Sequence, residues 1–163
     1  MAEVATQSQR MTTQAEAAYR VQYPNSKRRS TLVVALDDDA RKVLNHLLEL
    51  EWNNAQFAVL EEKPPAQIQV VGLQGSVSPL PDAIVNADVV MMVATHDTPA
   101  HRVRMIGELC FRHHVMTAGF VLSPAQYIDE LQQTLASVRP YVISLVVESD
   151  PDYLVEALRA VRA

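Results

Sequence analysis

Four short, almost uninterrupted apolar runs punctuate the chain at residues 31–36, 88–94, 115–122 and 141–147, and stretches of helical period separate them. Runs this apolar and this rich in β-branched residues are what strands buried on both faces look like. Gln56–Leu60 and Gln67–Leu73 read as two further strands. Between the runs, apolar side chains recur at three- and four-residue spacing. They form the sets Val43, Leu44, Leu47, Leu48 with Trp52; Val103, Ile106, Cys110; Ile128, Leu131, Leu135; and Leu154, Ala157, Leu158, Val161. Strands alternating with helices through short connections predict an α/β domain of the doubly wound, Rossmann-like kind. Its sheet should be mostly parallel, of about six strands, with helices on both faces. Asp88–Ala94, the most apolar strand, should be central.

Three helices are expected to open on a capping residue followed by proline, at Thr98-Pro99, Ser123-Pro124 and Asp150-Pro151. Proline suits the first helical position, where its missing N–H costs nothing. A segment rich in Gly and Pro (Gly72, Gly75, Pro79, Pro81) should be a loop leading to a short helix near Asp82–Asn86.

The pattern begins at residue 31. Residues 1–30 form a separate arm rich in Gln, Thr, Ser and Ala, and residues 31–163 form one domain. Within the arm, Thr13-Gln14-Ala15-Glu16 has capping-box spacing, and Ala15, Ala18, Tyr19 and Gln22 follow on one helical face with Met11 behind them. Pro24 ends the stripe. The arm carries five basic and two acidic residues, so its charge is +3, while the body's nine basic and seventeen acidic residues give −8. An acidic body repels phosphates, so nucleic acid is not an expected partner. The basic arm is the natural contact to a protein partner or to a sister subunit in a homo-oligomer. No run approaches the ~20 apolar residues needed to cross a bilayer, so no membrane partner is expected. The chain opens on no charged-then-apolar leader and has a lone cysteine, Cys110, which together lead to an expectation of cytoplasmic location. Cys110 should be a buried, inert thiol.

Ligands of doubly wound sheets bind beyond the carboxyl ends of the strands, where strand order reverses. The loops after the first strand and after Asp88–Ala94 should flank that crevice. They supply Asp37, Asp38, Asp39 and Thr95, His96, Asp97, Thr98, with His101 on the following helix. Neither loop contains glycine, which a backbone cradle for pyrophosphate requires. At ~5 Å and an effective dielectric of ~20–80, each carboxylate–phosphate repulsion costs roughly 1–3 kcal/mol. The acidic triplet therefore has two readings: a Mg²⁺ site, since hard cations favour carboxylates, or capping of the following helix. No cofactor is expected unless it is Mg²⁺. His96, His101 and Asp97 form a second candidate set for a metal or an acid–base site. His113 and His114 lie ~20 Å further along the helix at 1.5 Å per residue, too far to complete it. No catalytic residue stands out, and Arg102, Arg104 and Arg112 read as a solvated helix face.

Two resemblances bear on function. Asp88–Val93 and Val115–Val121, with the helix between them and the elements that follow, resemble the FtsZ/tubulin GTPase domain. That family's glycine-rich GGGTGTG loop is replaced here by Ala94-Thr95-His96-Asp97-Thr98-Pro99, and its first glycine cluster by Asp37-Asp38-Asp39. The resemblance implies a shortened relative that has lost GTP chemistry, with Thr95 and Thr98 retained as loop hydroxyls. Leu32–Asp39 and Ser149–Leu154 are similar to the first strand with its acidic pair, and the last helix, of a two-component receiver domain. With Val93 where the phosphate-accepting aspartate is expected, that likeness implies an inactive receiver-like signalling domain. The expected function is therefore a non-catalytic binding or assembly module. The alternatives are a Mg²⁺-dependent nucleotide-binding protein or enzyme, or the inactive receiver.

Overall fold

A computed structural model describes residues 29–64, 67–124, 126–161 and 163. The arm and its short helix thus lie outside the described residues, apart from Arg29 and Ser30. The elements run β1 (Thr31–Ala35), α1 (Asp38–Leu47), β2 (Ala55–Lys63), β3 (Gln67–Gly72), β4 (Val77–Pro79), α2 (Leu80–Val85), β5 (Val89–Thr95), α3 (Ala100–Arg112), β6 (Met116–Leu122), α4 (Ile128–Val138), a 3₁₀ turn (Arg139–Tyr141), β7 (Ser144–Glu148) and α5 (Asp152–Ala160). The strands form one seven-stranded sheet in the order β4-β3-β2-β1-β5-β6-β7. β2, β1, β5, β6 and β7 pair in parallel, and β3 and β4 extend the β2 side antiparallel.

The architecture is the expected α/β sheet with helices on both faces, and β1 and β5 are buried along their whole length. Even-numbered β1 residues (Leu32, Val34) and Leu36 pack with α2, α3 and α4, whose anchors include Leu80, Ile84, Ile106 and Val138. Odd-numbered β1 residues (Val33, Ala35) pack with α1 and α5 through Leu44, Leu47, Leu154 and Leu158. A two-residue side-chain period on strands between two helical layers requires this division.

Three local expectations are corrected. β4, a three-residue edge strand, lies in the segment expected to be loop, because proline is tolerated where an edge N–H would face solvent. β2 continues three residues past Leu60, since Glu61, Glu62 and Lys63 pair with β3 on the sheet's outer side, where apolarity is no guide. α4 begins at Ile128 rather than at Pro124, and Ile128 itself is exposed. Thr134 and Val138 are the buried residues of that helix, because Thr134 Oγ1 donates to the His96 carbonyl at 2.9 Å and fixes its rotation.

The proline-led helix starts divide as well. Asp150 Oδ1 accepts from the Asp152 N–H at 2.9 Å, so that aspartate serves its helix. Ser123 Oγ donates to the Pro124 carbonyl instead, and Thr98 turns its hydroxyl inward toward Asp37.

The end of α3 depends on an unusual residue. His114 has φ 57°, in the left-handed region that usually selects glycine. The His114 N–H donates to the Phe111 carbonyl at 3.2 Å and the Val115 N–H to the Cys110 carbonyl at 2.9 Å, a Schellman closure that turns the chain directly into β6. On the same helix, Gly107 lies against the Tyr141 ring so closely that any Cβ would overlap it. Cys110 is fully buried, and burial pushes its thiol up to about 12.

Candidate functional site

Strand order reverses between β1 and β5, whose next strands lie on opposite sides of the pair. Their carboxyl ends therefore define the crevice, and Asp37 sits in its wall. The side chain is half-buried and fully committed. Oδ1 accepts from the Ala40 N–H at 2.7 Å, capping α1. Oδ2 accepts from the Thr95 N–H at 3.0 Å, from the Thr95 hydroxyl at 3.1 Å and from the Thr98 hydroxyl. Thr98 Oγ1 in turn accepts from the Thr95 N–H at 2.9 Å. The two loops that flank the crevice are tied together by one carboxylate. For Asp37, helix capping is the role the geometry displays.

The remaining candidates scatter. Asp38 and Asp97 are exposed, and Asp39 pairs with Lys42 at 2.7 Å. The hydrogen bond from Lys42 holds the Asp39 carboxyl below its usual range. His96 turns toward α4 and stacks on Tyr127, with ring centroids 3.8 Å apart and planes 6° from parallel. His101 points the other way, with Nε2 2.9 Å from Glu62 Oε1. His96 and His101 thus share a loop region but not a site. Among the described residues, no group of three or more His, Cys, Asp or Glu side chains is placed to hold a metal ion.

Two residues of the crevice escaped the sequence reading. Arg102, expected on a solvated face, donates from Nη1 to the Leu36 carbonyl at 2.7 Å and from Nε to Glu62 Oε1 at 2.9 Å. It thereby locks the end of β1 to α3. Glu62, in the polar tail of β2, pairs with two neighbouring side chains of α3, and the hydrogen bond from His101, followed by that from Arg102, holds its carboxyl below the usual range. Their sequence separations of 39 and 40 residues leave no local signal of the pairing.

This cluster makes a pH prediction. The side chain of Glu62 is 38% exposed, so solvent screens the pair, and Glu62→Gln should cost less than ~1 kcal/mol at pH 7. Because folding lowers this carboxyl's pKa, its contribution is present above the unfolded value near 4.5 and is lost as pH falls through the folded value. Urea unfolding should therefore separate wild type from Glu62→Gln at pH 7 and merge them near pH 3. A difference that grows on acidification would contradict the assignment.

The crevice measures about 610 Å³ and is walled by the ends of β1, β2 and β5 and the start of α3. Six carboxylates line it (Asp37, Asp38, Asp39, Glu61, Glu62, Asp97) against three cations (Arg41, Lys63, Arg102). Arg102 is already spent on Glu62 and the Leu36 carbonyl. Anions entering this mouth meet net negative charge and loops without glycine.

The fold and crevice define a doubly wound α/β domain whose five parallel strands, counted in chain order, run 2-1-3-4-5, as in flavodoxin-like sheets. The chain is similar to a flavoprotein from Lactobacillus acidophilus NCFM, solved in complex with FMN, with 9% identity, a TM-score of 0.50, and coverage of 79% of this chain and 97% of that one. The apo form of the flavoprotein from the same organism gives 10% identity, a TM-score of 0.47, and coverage of 78% and 97%. No protein-family model matches the chain, and no curated protein matches it.

Proposed function

We propose that this chain is a non-catalytic binding and assembly module that docks to a protein partner or sister subunit through its basic N-terminal arm. The observation that carries the reading is the Asp37 knot. The position where a nucleotide's phosphates would meet the sheet holds a carboxylate that is bonded to both flanking loops. A phosphate there would displace hydrogen bonds and face several negative charges at once. The +3 arm and −8 body supply the complementary argument, since the arm is the chain's basic element and the crevice is acidic. A shortened relative of FtsZ/tubulin without GTP chemistry would fit the same description.

The rival is a nucleotide or flavin protein. Support for it is the strand order and the FMN bound by the similar flavoprotein, which at 9% identity speaks to fold. Thermal-shift measurements with FMN, NAD, GTP and ATP, each with and without Mg²⁺, distinguish the two. The expected result is no saturable shift. A ligand at a hundred times its Kd adds about 2.7 kcal/mol, which in a chain this long raises Tm by roughly 5–10 °C. A saturable rise of that size, lost in Asp37→Asn, would favour the rival. Removal of residues 1–29 should lower oligomer mass or partner capture while leaving the body folded. Unchanged mass by light scattering together with intact partner capture would overturn the docking role.

A further inference from the structure

At the pole of the sheet opposite the crevice, an apolar groove of about 770 Å³ lies between the end of α3, the start of β6 and the turn before β7. Gly107, Cys110 and the Tyr141 ring contribute its inner surface. Its rim carries Phe111, 84% exposed, and Ile143, 78% exposed, with Met116 beside them. Large apolar side chains grouped in this way at the edge of a groove mark a docking surface.

The path of the chain indicates what covers it. Ser30 is pinned at the foot of β5, where its N–H donates to Asp88 Oδ2 at 2.8 Å and its carbonyl accepts from the Asp88 and Val89 N–H groups. Val89 is directly paired with Met116 at the groove's edge. The 28 residues before Arg29 therefore leave the body at the foot of β1, two strands from the groove's edge at Met116, about 10 Å across the sheet. Nine residues lie between Tyr19 and Arg29, and the ten steps they span reach roughly 33 Å when extended, about three times the distance needed. The arm also carries apolar residues at helical spacing: Ala15, Ala18 and Tyr19, with Met11 preceding them. Two alanines beside a single aromatic suit a surface whose own rim supplies the bulk.

We infer that the arm of the same chain seats its apolar stripe, around residues 13–23, in this groove. Tethering favours the chain's own arm over a second copy, because a short linker holds it at an effective concentration on the order of millimolar. The inference rests on reading the arm as a docking element and adds the surface that receives it. Partner engagement would then begin with release of the arm from the groove.

Hydrogen exchange on the full-length chain tests this, comparing wild type with the double variant Phe111→Asp/Ile143→Asp. Both side chains are exposed, so unchanged exchange in β1 and β5 should verify that the body is intact. Amides of residues 13–23 should exchange roughly tenfold faster in the variant, and wild-type protection should not depend on protein concentration. Tyr19→Asp, which leaves the body untouched, should release the arm to the same extent. Equal arm exchange in wild type and both variants would overturn the inference. So would protection that appears only as concentration and mass rise together, which would put the arm in another copy's groove. Neither failure touches the acidic crevice, whose reading stands or falls on the ligand panel.

Discussion

Replacing Asp37 by alanine should destabilise the protein by about 3 kcal/mol, because one carboxylate serves two structural joints. Loss of the cap on α1 accounts for ~1 kcal/mol of this. The larger part comes from groups left behind. Thr95 and Thr98 are 4% and 7% exposed, so their hydroxyls and the Thr95 N–H can recruit little water when the carboxylate disappears. A buried donor stripped of its acceptor costs ~1–3 kcal/mol, and these donors share partners, so their losses do not add. The Thr95 N–H keeps its bond to Thr98 Oγ1, which limits the damage. Asp37→Asn retains one acceptor oxygen and should fall between wild type and alanine. Urea unfolding with an unchanged m-value measures the difference directly. A loss below ~1 kcal/mol for alanine would mean that the two loops are held by something other than this residue.

Phe120→Ala should be comparable or more severe, at about 3–5 kcal/mol. Phe120 lies in β6, is fully buried, and belongs to the layer formed by Val33, Leu44, Leu154 and Leu158 between the sheet and the helices α1 and α5. Removing the ring forfeits its transfer free energy and leaves a cavity that a parallel sheet paired on both sides cannot collapse. In a chain of this length each kcal/mol lowers Tm by roughly 2–4 °C, so a fall on the order of 10 °C is expected by calorimetry. Phe120→Leu keeps most of the volume and should cost under about 1.5 kcal/mol. Equal losses for the two variants would show that backbone strain, rather than packing, dominates the site.

The two variants separate two kinds of information. Phe120 lies in an apolar run that is legible along the chain, and its burial follows from that run. Asp37 is legible only as an acidic residue ahead of a helix. Its bonds reach Thr95 and Thr98, 58 and 61 residues away, and nothing near Asp37 in the chain announces them. The histidines make the same point. His96 and His101 are five residues apart and invite a shared site. Tyr127 draws one ring toward α4, and Glu62 pairs with the other at the end of β2.

The sequence by itself determined the alternation of strands and helices, the core strand at 88–94, the inner faces of α1, α3 and α5, and the division between a basic arm and an acidic body. Those properties are periodic or compositional, and hydrophobic burial reads them directly. Tertiary structure alone decided the use of each polar group: Asp37 as the tie across the switch point, Glu62 as the partner of His101 and Arg102, β4 as an edge strand, and an apolar groove two strands from the arm's exit. Hydrogen bonds and grooves are made by residues that meet only when the sheet is assembled, so their partners are fixed by topology and register rather than by spacing along the chain.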